Sequence, residues 1–151
     1  IKTHRNRELY QKWVREGYLK VCGKKCIDYD MIAKDIVEMT KYLNILQIGY
    51  DPYKSKEFIN ILGVMGNRKA LQPVGQTYGN FTSPVQTFES TLLTDRLTLN
   101  ANPINAYCFD NAVLDEDRLE NKKPQKRSKD KKIDGVITAL MTIWEFGNYV
   151  R

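Results

Sequence analysis

Histidine is nearly missing from this chain, and cysteine is scarce. One His and three Cys occur in 151 residues. His4 stands far from the Cys22-x-x-x-Cys26 pair, so a four-ligand zinc site lacks donors. The odd, scattered cysteines (Cys22, Cys26 and Cys108) argue against a disulfide framework, so a reducing compartment is expected. No apolar run approaches the roughly 20 residues that span a bilayer, so a membrane is not an expected partner. Residues 1–5 have no apolar segment behind their charges, so no signal peptide is expected there. No G-x-x-x-x-G-K-[ST] occurs, so no such phosphate-cradling loop is present. The first residue is not Met, as in a cut piece of a longer protein.

What is there suits a soluble α/β domain. The length fits one domain, 1–151, large enough for a real core. The net charge is +6, and its placement is informative. Between Arg118 and Lys132 stand eight basic residues against two acidic ones, so the whole excess lies there. The remainder carries sixteen of each sign. Such a segment is an electrostatic footprint for a polyanion. Composition alone fits a solvated loop equally well. Residues 115–132 are charged and interrupted by Pro124, which predicts a basic flexible loop.

The periodicity predicts helices over 5–19, 30–43, 55–65, 83–94, 102–109 and 132–146. Asp28 or Asp30 can cap the second, and Ser55 the third. Ser83-Pro84-Val85-Gln86 reads as the start of the fourth, with Pro84 at the first helical position. Short strands are expected at 45–51 and 69–74, with a further extended stretch at 111–114. Alternating helices and strands argue for an α/β fold. Two or three strands are too few to cover these helices, and a sheet edge would stay open. Strands from before Ile1 are therefore expected to be missing.

Two stretches organise the chain. Ile45-Leu-Gln-Ile-Gly-Tyr-Asp51 reads as a buried strand that ends on an acid and is stopped by Pro52. Lys131-Lys-Ile-Asp134-Gly-Val-Ile137 opens the last helix, with Ile133, Val136, Ile137, Leu140, Met141 and Trp144 on one face. Ligands of open α/β sheets bind beyond the carboxyl ends of strands, where Asp51 falls. Asp134 falls in a first helical turn, where the dipole favours negative charge. Two such carboxylates can hold a hard cation such as Mg²⁺. They can equally be a strand terminator and a helix cap.

In this order the segments resemble the C-terminal nuclease part of tailed-phage terminase large subunits. The resemblance runs through Tyr10-Gln-Lys-Trp13-Val-Arg-Glu-Gly17, Ile27-Asp-Tyr29 and Ile48-Gly-Tyr-Asp51. It continues through Gln76, Ser83-Pro84, Phe88-Glu89, Asn102-Pro103, Asn111, the basic segment at Lys126, and Lys132-Ile-Asp-Gly-Val136. It covers nearly the whole chain and is most specific at the closing Ile-Asp-Gly. It implies a ribonuclease H-like fold: a mixed sheet flanked by helices, here without its first strands.

The resemblance also implies a metal-dependent endonuclease that cuts double-stranded viral DNA during genome packaging. Asp51 and Asp134 would be two ligands of a two-metal Mg²⁺ or Mn²⁺ site, incomplete here because another acid comes from the family's first strand. In such sites one metal generates the nucleophile and the other stabilises the leaving oxygen. Lys126, Arg127, Lys129, Lys131 and Lys132 are the candidates for gripping DNA phosphates. Tyr50, Tyr53, Tyr78 and Tyr107 are candidates for base stacking, and Glu89, Asp95 and Asp110 are spare acids. ATP would belong to an upstream motor, not to this chain. The implied partners are DNA, the portal and the small terminase subunit, with homo-oligomers only for the full-length protein, in the cytoplasm of a bacterial host. This segment alone is expected to cut weakly or not at all. The competing expectation is a non-catalytic DNA- or portal-binding module of the same fold.

Overall fold

A computed structural model describes residues 6–66 and 68–149. The N-terminal stretch read above for a signal peptide and for His4 lies outside the described residues. The chain divides into two compact units. One holds the described residues up to Lys20 together with those from Gln76 onward, and the other holds Val21–Gly75. The class is mixed α/β, as the alternation predicts. Among the described residues the strands form two separate ladders, one in each unit, rather than one mixed sheet. No helix among the described residues is long and apolar enough to cross a membrane.

The unit of residues 21–75 is a helix followed by a β-α-β crossover. Helix α1 (Arg7–Arg15) belongs to the other unit, so this one begins with α2 (Tyr29–Met39). The Asp28 carboxylate accepts from the Met31 N–H at 2.9 Å, which satisfies one orphan donor at the start of α2. Strand β1 (Ile48–Tyr50), helix α3 (Lys56–Met65), one 3-10 turn (Arg68–Ala70) and β2 (Leu71–Pro73) follow. β1 and β2 pair in parallel, with Ile48 opposite Leu71 and Tyr50 opposite Pro73. The crossover helix α3 packs on α2, with Tyr29 and Phe58 rings 5.7 Å apart and Ala33 and Leu62 buried. The strand expected over 45–51 shortens to three residues because the ladder has only three paired positions. The α2 expectation ran to residue 43, yet Leu43 lies past the helix end and is exposed.

The larger unit is built on three helices and a hairpin. They are α4 (Tyr78–Leu93), α5 (Pro103–Asp110), the hairpin β3 (Ala112–Glu116) with β4 (Lys122–Lys126), and α6 (Asp134–Tyr149). α6 packs on α4 and α5 and buries Val136, Leu140 and Met141, with Ile133 just ahead of it. These are the positions the helical period selects. Helix α1 docks through Trp13, stacked on Tyr10 at 5.6 Å and edge-on to Tyr107 of α5 at 5.3 Å. Asn102 caps α5 by accepting from the Ile104 N–H at 2.9 Å, with Pro103 at the first position as expected.

Two expectations are corrected here. Helix α4 starts at Tyr78, not at Pro84, and Thr77 is its cap, accepting from the Asn80 N–H at 3.2 Å. Pro84 is buried inside the helix. The extra turn buries Phe81 to 1% exposure. That burial contributes about 2–3 kcal/mol, of the same order as the roughly 3 kcal/mol an interior proline costs. The bond from the Tyr78 hydroxyl to the Asp115 carboxylate adds to it.

The second correction is the loop expected over 115–132, much of which is the antiparallel hairpin. Its turn is built by Asp117. Asp117 Oδ1 accepts from the N–H groups of Leu119 at 2.8 Å and Asn121 at 3.0 Å, and Oδ2 accepts from Asn121 Nδ2 at 3.0 Å. These bonds, the Asn121 side chain first, hold the Asp117 carboxyl below its ordinary pKa. Pro124 is tolerated for a positional reason. The ladder bonds fall at the 111–127 and 117–121 pairs, so Leu114–Pro124 is a non-hydrogen-bonded pair. At the equivalent Lys122 the outward N–H donates instead to Thr82 Oγ1 at 2.9 Å, which ties β4 to α4.

Thr77→Ala is expected to lower stability by about 1 kcal/mol, and Ser83→Ala by less than about 0.5 kcal/mol. Urea unfolding of both variants checks this, and the reverse order would move the cap back to Ser83. Glu145 on α6 is buried, and its Oε1 has no hydrogen-bond partner among the described residues. Desolvation raises its carboxyl pKa above the ordinary value. A raised folded-state pKa favours the proton in the native state, so this group destabilises the fold as pH rises through its unfolded value toward the folded one. Glu145→Gln is therefore expected to gain stability at neutral pH, with the gain vanishing at acid pH. Thermal melts from pH 4 to pH 8 that show a constant difference would contradict this.

Candidate functional site

Asp51 is placed by β1. It is the first residue past the carboxyl end of that strand and is half-buried. Its Oδ1 accepts from the Tyr53 N–H at 2.9 Å across Pro52, a local turn that fixes the carboxylate. The next interaction inward is the ladder itself, where the Tyr50 carbonyl accepts from the Val74 N–H at 2.8 Å. Asp51 belongs to the unit of residues 21–75.

Asp134 belongs to the other unit and is the first residue of α6. It is exposed. Its height on the molecule is set by its neighbours on either side. Ile133 is buried, and its carbonyl accepts from the Val136 and Ile137 N–H groups at 2.9 and 3.1 Å. Gly135 meets α5 so closely that a Cβ there would stand 2.9 Å from Asn105 Oδ1 and 3.3 Å from Cys108 Cβ. The Ile-Asp-Gly run thus has a packing logic. The first residue anchors, the last allows close approach, and the acid between them is left facing solvent at a helix N-terminus, where the dipole favours its charge.

The five candidate basic residues occupy one continuous run. Lys126 ends β4, and Arg127, Lys129, Lys131 and Lys132 span the link to α6. Lys126, Arg127, Lys129 and Lys132 are exposed. Lys131 is half-buried, with its ammonium 5.9 Å from the Tyr107 ring centroid. The link is shaped locally by Ser128 Oγ donating to Asp130 Oδ1 at 2.6 Å and by the Lys131 N–H donating to the Ser128 carbonyl at 3.1 Å. Arg127 is fixed by its own N–H, which donates to the Asn111 carbonyl at 2.9 Å. These charges are therefore carried on an anchored backbone next to Asp134 in sequence.

Of the aromatic candidates, Tyr107 is structural. Its hydroxyl accepts from Asn6 Nδ2 at 2.9 Å, and desolvation raises its pKa. Tyr78 is also engaged, through Asp115 first, which raises its pKa, and through Lys123 at 4.4 Å from its ring. Tyr53 is exposed. The spare acids Glu89, Asp95 and Asp110 are all exposed. Sequence reasoning did not select Asp115, a half-buried carboxylate that accepts from Tyr78 and, at 2.5 Å, from Gln125 Nε2. The available signal was the Asp117–Asn121 turn, whose register places Asp115 opposite Lys123 and diagonal to Gln125.

The donor chemistry of Asp51 and Asp134 fits a hard divalent cation, since both are carboxylates with access to solvent. Among the described residues no three His, Cys, Asp or Glu side chains cluster as a metal site. This chain would leave most coordination positions to water, as Mg²⁺ accepts when bound by one or two carboxylates.

Residues 1–149 match the model of the family described as terminase large subunit, endonuclease domain. The chain belongs to that family. It is 28% identical over 142 residues to the large terminase subunit of Enterobacteria phage HK97, covering 94% of this chain and 28% of that protein. The crystal structure of the HK97 bacteriophage large terminase superposes with a TM-score of 0.82 at 27% identity, over 93% of this chain and 29% of that one. The chain thus spans less than a third of the relative it matches. The mixed α/β fold is that of the matching part of the HK97 protein.

The close approach at Gly135 carries a testable consequence. Gly135→Val is expected to destabilise the fold by about 1–3 kcal/mol through overpacking against α5. Chemical denaturation checks it, and unchanged stability would show that α5 and the start of α6 have room between them.

Proposed function

We propose that this chain is part of an endonuclease that, in the intact protein, cuts double-stranded viral DNA during genome packaging, and that Asp51 and Asp134 hold divalent cations it uses. The observation that carries the reading is the position of the two acids. One follows the carboxyl end of a parallel strand and the other opens a helix, in a chain matched by the family over residues 1–149. Mg²⁺ or Mn²⁺, when bound, supplies an activated water and charge relief for the leaving oxygen. Asp51 contributes a carboxylate already oriented by the Tyr53 N–H. Asp134 contributes a solvent-facing one at the first turn of α6, on a backbone position set by Ile133 and Gly135 on either side. Lys126, Arg127, Lys129, Lys131 and Lys132 contact phosphates and so position the duplex without reading its sequence. The same reading places the protein in the cytoplasm of a bacterial host, with the portal and the small terminase subunit as partners. It assigns homo-oligomers to the full-length protein, and ATP to a motor outside this chain.

Mn²⁺ titration and plasmid nicking by the complete nuclease domain test this with Asp51→Ala and Asp134→Ala. Each substitution is expected to weaken Mn²⁺ binding by at least about tenfold, since even outer-shell losses weaken metal sites that much. Each should also bring nicking to background. Equal binding and equal cutting by parent and variants would leave only a DNA- or portal-binding module. The basic run has its own test. Lys126→Ala and Lys129→Ala should each reduce the salt dependence of DNA affinity, log K against log salt, by about one. An unchanged slope would remove those residues from the phosphate contacts.

A further inference from the structure

The segment Cys22-Gly23-Lys24-Lys25-Cys26 plays no part in the reading above. It forms a tight reversal just ahead of α2. Gly23 has φ +98°, and a Cβ placed on it would lie 2.0 Å from the Cys26 carbonyl oxygen. The backbone of residue 23 therefore runs directly against that of residue 26, where only glycine fits. Beyond the second cysteine the Asp28 N–H donates to the Cys22 carbonyl at 3.3 Å. Two independent contacts thus fold the ends of this five-residue stretch toward each other. Both sulfurs are free thiols; Cys26 is exposed and Cys22 half-buried, whereas Cys108 is buried. Lys24 and Lys25, both exposed, place two positive charges between them. No third His, Cys, Asp or Glu joins the pair in a metal cluster among the described residues.

The geometry points to a dithiol site at Cys22 and Cys26 that takes a small anionic disulfide of the glutathione class and closes into an intrachain disulfide. The lysines attract the anionic reagent. The Cys26 thiolate attacks one reagent sulfur, the reagent S–S bond breaks, and one glutathione thiolate leaves. The Cys22 thiolate then attacks the Cys26 sulfur and displaces the second glutathione thiolate. The two protons given up by the cysteines end on the two leaving thiolates. The cysteines lose two electrons and the reagent gains them. The closed ring pins the reversal that delivers Asp28 to its cap on the Met31 N–H.

The test is incubation of the full 151-residue chain with oxidised glutathione, followed by intact mass and peptide mapping. The expected product has lost two hydrogens, carries its bond between Cys22 and Cys26, and retains a reduced Cys108. Cys22→Ser is expected to stop at a single glutathione adduct on Cys26, with at least about tenfold more of that adduct than the parent accumulates. A parent that accumulates the adduct as Cys22→Ser does would overturn the proposal. So would bonds from either residue to Cys108 or to a second chain, or no reaction at all. A parent product that stops at the glutathione adduct overturns the proposal even if the variant folds poorly.

Discussion

The contact on which the larger unit depends is the approach of the first turn of α6 to α5. Gly135 lies so close to Asn105 and Cys108 that a Cβ there would require their side chains to shift. Ile133 is sunk beside it, and Val136, Leu140 and Met141 continue the same buried stripe. With both neighbours fixed, the backbone at Asp134 is held in place, while its side chain faces solvent. The basic run arrives at the same helix end. Its backbone is fixed by Asn111 and Ser128, so its charges stand on a defined path rather than on a wandering chain.

In the smaller unit the equivalent constraint is the parallel ladder. Three paired positions set where β1 stops, and the chain turns at Pro52 with the Asp51 side chain bonded back to Tyr53. A two-stranded ladder is marginal by itself. The packing of α3 on α2, through Tyr29, Phe58, Ala33 and Leu62, supplies much of this unit's buried apolar surface.

Much of this could be read from the residues. The buried stripe of α6, the cap at Asn102, the cap at Asp28 and the acid at the end of β1 all follow from local rules that tertiary packing did not override. Three features could not be read. The start of α4 depends on burying Phe81 and on a bond from Tyr78 to Asp115, a partner 37 positions away, and local cap logic gave the turn to Ser83 instead. The hairpin was hidden because β4 is Lys-Lys-Pro-Gln-Lys, with neither apolar alternation nor good strand formers. It forms because Asp117 builds the turn, Thr82 takes the Lys122 N–H, and Pro124 falls at a position that needs no donor. The division of the strands between two ladders is likewise a matter of long-range pairing, which no local window contains.

The claim on which the account rests is that Asp51 and Asp134 are carboxylates that hold divalent cations. Anomalous diffraction from crystals soaked in Mn²⁺ tests it most directly. The account predicts Mn²⁺ at the carboxylate oxygens of each residue at about 2.1 Å, close to the Mg²⁺–oxygen distance. Mn²⁺ found only on other side chains would contradict it.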